Sequence, residues 1–200
     1  MTHDTHGTHD LSDGFTGQLL VALPHLEDTP FEEAVCLICT HDDEHAFGVI
    51  VNKPLDGAKL AEIVKGMGIP SDEAAEETPV YFGGPVGMER GAVLHSLDYR
   101  TDETVQITPD VGLTATREAL EAICDRTKAP NKAMLIMGHS GWSGGQLENE
   151  MKRNDWLSID AKSEIIFGDK TEAWSDSLSH LGINDLGQFR GNERPVPQPN

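Results

Sequence analysis

Apolar positions in this chain come in short runs, separated by glycine, proline and acidic turns. Residues 18–23 form one such run, read as a strand closed by Pro24. Residues 35–39 and 47–51 form two more, and the polar stretch 41–44 between them predicts a hairpin with a loop of about five residues. Between the first two runs, Thr29-Pro30-Phe31-Glu32 spells a helix start, with Thr29 as cap, Pro30 at the first position and Glu32 closing a capping box. That helix must be short, because residue 35 already begins the next strand.

Helical spacing first dominates at Leu60, Ile63, Val64 and Met67, with Gly66 and Gly68 marking the stop. Residues 71–78 are acidic and read as a surface loop. Short strands are expected at 80–82, 92–94, 105–108 and 111–113. A helix over 116–125 turns Leu120, Ile123 and Cys124 inward. Residues 133–137 read as a buried strand, followed by a glycine-rich turn over 138–145 and a helical pattern over 146–154. Two further extended pieces are expected at 156–159 and 165–167. The last helix, 169–181, carries Trp174, Leu178 and Leu181 on one face and ends at Gly182.

Strands outnumber helices and do not alternate with them strictly, which predicts an α+β fold. Residues 15–191 are expected to form a single domain, with a polar tail at 1–14 and a loose proline-containing tail at 192–200. His3, His6 and His9 recur in the first tail and suit a disordered segment better than a metal site.

Charge narrows the function classes. The chain has 200 residues with 15 basic and 34 acidic side chains, a formal net charge of -19. Affinity for nucleic-acid backbones comes from clustered Lys and Arg, which are missing here, so direct nucleic-acid binding is not expected. Anionic membrane surfaces are disfavoured for the same reason, and no apolar run approaches the ~18 residues of a membrane span. Three cysteines and no secretory signal predict a cytoplasmic protein with reduced thiols.

Cys36-Leu37-Ile38-Cys39 has the spelling of a dithiol motif. In redox proteins that motif opens a helix, whereas here it lies on an expected strand, where residues three apart face opposite sides. Two buried core thiols are the expectation. A zinc site using His41 and His45 would need a second ligand pair, and a solvated hairpin loop explains those histidines more simply. No metal and no cofactor are implied.

The stretch from Gly138 to Glu150 contains Gly141-x-Ser143-x-Gly145, the spelling of a hydrolase nucleophile elbow. The only histidine after Ser143 is His180, and too little chain follows to build the rest of such a fold. Ser143-Gly144-Gly145-Gln146 is also a Ser-x-x-Gln capping box, which explains the same residues without chemistry. Ser140 lacks the second glycine in its register. A hydrolase using Ser143 or Ser140 is therefore the alternative reading. The backbone amides of Gly144 and Gly145, at a helix start, offer an anion site. Gly83-Gly84-Pro85 with Arg90 forms a second polar glycine turn. Gly83, Gly84, Arg90, Gly144, Gly145 and Gln146 together make the candidate ligand surface, provided the turns converge. A separation beyond roughly 15 Å between Arg90 and Gly144 exceeds what an arginine side chain and a small ligand span.

Several motifs occur in one order. They are Cys39-Thr40-His41, Phe47-Gly48-Val49-Ile50-Val51-Asn52-Lys53-Pro54, Tyr81-Phe82-Gly83-Gly84-Pro85-Val86, Arg90-Gly91 with Leu94-His95, Gly138 to Glu148, Asn154-Asp155-Trp156-Leu157, Trp174, and Leu181-Gly182-Ile183. This constellation resembles the bacterial YqgE/AlgH family over residues 17–191. His139-Ser140 stands where that family usually shows Tyr-Ala, and Thr40 where an acidic residue is common. The resemblance implies an α+β fold with a mixed, branching sheet, a small barrel-like part and flanking helices. It implies a cytoplasmic bacterial protein with no established activity. Some members carry a transcriptional-regulator label, which the charge confines to an indirect role. It brings no catalytic residues. The function expected is the binding of a partner protein or a small ligand, with an anion as one candidate.

Overall fold

Strand β8, Ala133–Ser143, organises the molecule. Its first half pairs in parallel with β4 (Val80–Phe82) and antiparallel with β5 (Val86–Ser96). Its last four residues pair antiparallel with β3 (His45–Ile50). From β3 the sheet runs on through β2 (Val35–His41) and β1 (Gln18–Ala22) to β9 (Trp156–Asp160). From β5 it runs through β7 (Val111–Thr114) to β6 (Val105–Gln106). The result is an α+β fold whose mixed sheet branches at β8 and curls into a half-barrel with helices against it. The computed structural model describes residues 14–183 and Leu186, so His3, His6, His9 and the segment 192–200 lie outside the described residues.

The apolar runs of β1, β2 and β3 are nearly continuous because both faces of these strands are covered. Leu19, Leu37, Val49 and Val51 enter one core and Leu20, Ile38, Ile50 and Trp156 the other. Cys39 belongs to the first core and Cys36 to the second, so the two thiols face opposite sides as the strand reading requires. Burial pushes the Cys36 thiol up to about 12 and raises that of Cys39 as well, which makes both unreactive. A third core gathers α1 (Leu60–Gly66) and α3 (Arg117–Ala122) over Val93 and Leu135. Thr116 caps α3, its hydroxyl accepting from the Ala119 amide at 3.2 Å.

Several elements differ from the sequence expectation. The acidic stretch 71–78 contains a helix, α2 (Glu73–Glu77): Ala75 is buried, and Arg126 ties Glu73 and Glu77 together from outside. Residues 165–167 lie in a helix, α5 (Ser163–Phe167), because the Lys162 carbonyl accepts from both Ile165 and Ile166 amides. No helix follows Thr29. Its hydroxyl bonds the Phe31 amide and the Leu26 carbonyl, and Glu33 adopts φ 52°, so the chain turns straight into β2. The last helix, α6 (Ala173–His180), starts four residues late. The hairpin between β2 and β3 is tighter than expected, since Asp42 accepts from the amides of Glu44 and His45.

The largest difference is in β8. Gly138 to Ser143 continue the strand rather than forming a turn. Gly138, Ser140 and Trp142 are buried while Gly141 and Ser143 are exposed. The turn is confined to Gly144 and Gly145, ahead of α4 (Gln146–Lys152).

Candidate functional site

Two regions hold the polar residues that could carry function. The first is the seam where β8 meets β4 and α4. Gly83 and Gly84 lie backbone-to-backbone against β8. A Cβ at Gly83 would sit 2.4 Å from the Gly138 carbonyl oxygen, and one at Gly84 would sit 2.3 Å from His139. The glycines are required by this approach. The Gly83 carbonyl accepts from the Ile50 amide at 2.9 Å and from the Ser140 hydroxyl at 3.1 Å. Ser140 is fully buried, so its hydroxyl is a structural donor.

Ser143 binds Gln146, but not as a full capping box. Its amide donates to Gln146 Oε1 at 3.1 Å, and its hydroxyl donates to the same oxygen at 3.2 Å. The reciprocal bond from the Gln146 amide to the hydroxyl is replaced by Gly145, which stands at the N-cap with φ 73°. Gln146 Nε2 then donates to Glu150 Oε1 at 2.9 Å. The other oxygen of Glu150 accepts from both Trp142 Nε1 and Trp156 Nε1, at 2.8 and 2.9 Å. The Trp142 and Trp156 rings meet edge to face, 6.1 Å apart. One chain of bonds thus runs from the end of β8 through α4 to β9.

His45 stands opposite Ser143 in the strand register, yet its Nδ1 contacts Asp42 at 3.0 Å and no hydrogen bond joins its ring to the hydroxyl. The nearby His41 is also committed. Its Nδ1 accepts from the Phe15 amide at 3.0 Å, so Nε2 carries the proton and donates to Glu148 Oε1 at 2.9 Å. Glu148, in the first turn of α4, already brings a carboxylate to the positive end of that helix. A Cβ on Gly144 would meet the Asp43 carbonyl oxygen at 2.5 Å, so this turn is packed against the β2–β3 hairpin.

Arg90 lies elsewhere. Its neighbour Gly91 pairs with Met137, seven residues before Gly144 on β8, about 20 Å of extended strand. Its side chain is 84% exposed and touches Glu89. The structure therefore brings Gly83 and Gly84 onto the middle of β8, leaves Arg90 in solvent, and sets Gly144, Gly145 and Gln146 at the strand's far end.

The second region is a cleft of about 660 Å³ lined by Glu32, Glu33, Asn52, Lys53, Pro54, Lys170, Thr171, Trp174 and Ser175. Asn52-Lys53-Pro54 leaves β3 and runs beside β4, where the Lys53 carbonyl accepts from the Phe82 amide at 2.8 Å. Asn52 joins two segments, accepting from the Val35 amide at 2.8 Å and donating to the Glu33 carbonyl at 2.9 Å. Lys53 Nζ donates to the Pro30 carbonyl at 3.1 Å. From the other wall, Lys170 reaches in from the α5–α6 loop. Its Nζ donates to the Ile166 carbonyl and lies 5.6 Å from the centre of the Tyr81 ring. Trp174 Nε1 donates to the Ala22 carbonyl at 2.8 Å and fixes the start of α6 as the far wall.

The charges in this cleft are unbalanced at depth. Lys53 and Lys170 are half-buried while Glu32 and Glu33 are exposed at the rim. Among the described residues neither lysine makes an ion pair with a carboxylate. Burial pulls the Lys170 ammonium down to about 8 even though Asp169 opposes the shift. Burial lowers Lys53 too, against Glu32 and Glu33. In the sequence Asn52-Lys53-Pro54 stands only as the end of a family motif, and Lys170 belongs to no motif. The available signal was the scarcity of basic residues, 15 in a chain with 34 acids, which makes each lysine near an apolar run worth weighing.

Among the described residues no group of three His, Cys, Asp or Glu could hold a metal ion, and no helix is long and apolar enough to cross a membrane.

Comparison with known proteins gives a consistent picture. A family model described as AlgH-like matches residues 19–185. A UPF0301 protein from Jannaschia sp. (strain CCS1) is 41% identical over 182 residues, covering 90% of this chain and 92% of that protein. One from Caulobacter vibrioides is 41% identical over 169 residues, covering 84% and 87%. The solution structure of the AlgH protein from Pseudomonas aeruginosa superposes with a TM-score of 0.73 at 27% identity, over 98% of this chain and 100% of that one. The crystal structure of protein DIP2367 from Corynebacterium diphtheriae gives 0.67 at 22% identity, over 86% and 90%, a likeness of fold alone.

Proposed function

From the premise that this chain belongs to the AlgH-like family, we propose that it acts by binding, and that its ligand is a small anion held in the Lys53–Lys170 cleft. The observation that carries this reading is the pair of half-buried ammonium groups that form no ion pair among the described residues and feel Glu32, Glu33 and Asp169 only at longer range, in a protein of net charge -19. A buried charge costs free energy unless something of opposite sign meets it. An anion supplies that partner, and the exposed Glu32 and Glu33 at the rim select against large polyanions. Nucleic acid is disfavoured by the same acidic surface, so any role of this cytoplasmic protein in transcription runs through another molecule.

The anion thus finds better support in the lysine cleft than at Gly144 and Gly145, where Glu148 already stands. A hydrolase using Ser143 or Ser140 has less support, since neither hydroxyl meets a histidine among the described residues. The test is calorimetric titration with malonate and with inorganic phosphate. Saturable binding is expected, weakened about tenfold (about 1.4 kcal/mol) by Lys53→Gln or Lys170→Gln and unchanged by Arg90→Gln. Binding that survives both lysine changes but falls with Arg90→Gln would return the site to the glycine turns.

A further inference from the structure

We propose that the open edge of β5, beside α1 and α3, docks an extended, net-basic segment of a partner protein. The segment adds one strand to the sheet and seats an apolar side chain in the adjoining pocket. The lysine cleft takes no part, so the two sites stand or fall separately.

Strand β7 covers only part of β5. It pairs with Val93 to Ser96 and ends at Thr114, where the chain turns into α3. Two bonds fix which way the β5 backbone faces. The Ser96 amide donates to the Lys132 carbonyl, just before β8, and the Leu97 amide donates to the Asp110 carbonyl, just before β7. Alternation then turns the N–H and C=O of Val93 and Gly91 to the β7 side. Val93 meets Thr114 there. Gly91 lies past the end of β7, with no strand beside it on that edge among the described residues. It is exposed and has no side chain to screen its backbone. Before it the register against β8 shifts between Val86 and Gly91, and this bulged stretch leaves Val86 and Met88 exposed. An open edge is a template for another strand.

A pocket of about 210 Å³ opens on the same edge, with Glu89, Gly91 and Val93 among its residues from β5 and Ile63, Met67 and Leu120 among those from the helical side. Met137 lines it as well, and its sulfur would lie 3.0 Å from a Cβ at Gly91, so the missing side chain opens the pocket to the backbone. That volume is below the roughly 300–1,000 Å³ of small-molecule sites and suits one side chain of a strand laid along β5. Met67 is 47% exposed, and a methionine wall adapts to differently shaped side chains.

Charge selects the occupant. Arg117, on the pocket lip, is held by Glu121 at 2.8 Å and by the Met67 carbonyl at 3.3 Å. Glu89 has Arg90 at 3.6 Å, with both side chains mostly in solvent, where such a pair contributes little. Its carboxylate is open to a lysine or arginine of the incoming strand, and the net charge of -19 steers a basic segment towards the protein. The same charge makes two copies of this chain repel each other, which disfavours a second copy as the occupant.

The test is an NMR titration of the full chain, isotope-labelled at its amides and methionine methyls, with the peptide Lys-Val-Lys-Leu-Lys-Val up to about 1 mM. Saturable shifts are expected at the Gly91 amide and at the Met67 and Met137 methyls, with Met151 of α4 unmoved. The Gly91 amide should also exchange at least about tenfold more slowly with solvent. Glu89→Lys and Met67→Ser, both at exposed positions, should each weaken binding about tenfold. The acidic counterpart Glu-Val-Glu-Leu-Glu-Val should not bind. The basic peptide N-methylated at every residue keeps its side chains and charge but has no N–H to give the Gly91 carbonyl, and should lose the site. No shift at Gly91 and Met67 with the basic peptide would overturn the proposal. Equal binding of the N-methylated peptide would overturn it too, reducing the contact to adsorption by charge. Shifts at the same positions that grow with the protein's own concentration, without peptide, would assign the edge to a second copy instead.

Discussion

The β8 seam and the lysine cleft hold comparable numbers of polar side chains and use them in opposite ways. In the seam nearly every conspicuous group is spent on the protein itself, Ser143 on Gln146, Gln146 on Glu150, Glu150 on two indoles and Ser140 on Gly83, with the buried Glu148 Oε2 left as the exception. In the cleft two partly desolvated ammonium groups contact carbonyl oxygens and an aromatic face among the described residues, with Glu32, Glu33 and Asp169 acting on them at longer range. A saturated network lowers the energy of one structure, whereas an unsaturated one leaves free energy to be recovered on binding. The motif that looks most like chemistry is therefore architecture, and the less conspicuous lysines are the better site.

Substitution should break this contrast first at Glu150. Replacing it with Ala strands the Trp142 and Trp156 N–H groups, in rings that are 5% and 1% exposed. A loss of about 3 kcal/mol is expected, or a fall in Tm of about 8 °C in a thermal melt. Glu150→Gln retains one acceptor and should lose less. A Glu150→Ala protein melting as the wild type does would mean that the seam is not the support described.

In the cleft the sign reverses. Because the folded pKa of Lys170 lies below that of the unfolded chain, the unfolded state binds the proton more tightly. The resulting penalty on the fold is complete below about pH 8 and fades as pH rises toward about 10.5. Lys170→Met should thus raise stability by about 1 kcal/mol at neutral pH, or about 3 °C in Tm, with the gain shrinking at alkaline pH while anion binding weakens about tenfold. A variant less stable than the wild type at pH 7 would show that Lys170 supports the fold.

The smallest effect belongs to Ser143. Its side chain is exposed, and Gln146 Oε1 keeps the Ser143 amide after Ser143→Ala. A cost near 0.5 kcal/mol is expected, with malonate binding unchanged. A larger effect on binding than on stability would restore a role for the nucleophile-like spelling.

Much of the architecture was legible because its residues obey simple periodicities. The β2–β3 hairpin, the α1 face of Leu60 and Val64, and the helix that follows Thr116 all follow from local rules. The end of β8 was not legible, for a physical reason. Its buried positions after Met137 are Gly138, Ser140 and Trp142, and the first two are small because Gly83 and Gly84, just after β4, approach them backbone to backbone. A strand that buries glycine and serine has the composition of a turn. Residues 165–167 failed differently, as an apolar triplet fits a strand and a helical turn equally well. The cleft escaped notice because it is assembled from segments more than a hundred residues apart, Asn52-Lys53-Pro54 and Lys170-Thr171, neither of which has a pattern of its own.

The branching of the sheet at β8 bears on how the molecule comes apart. Removing β8 would leave β6-β7-β5 on one side and β3-β2-β1-β9 on the other, with β4 tied only to the segment 53–55 that leaves β3. A fraying edge such as β6 can detach alone, but β8 cannot open without disconnecting everything it joins. Its amides should accordingly exchange with solvent only through whole-molecule unfolding, making β8 the slowest-exchanging segment and coupling both halves into one cooperative transition.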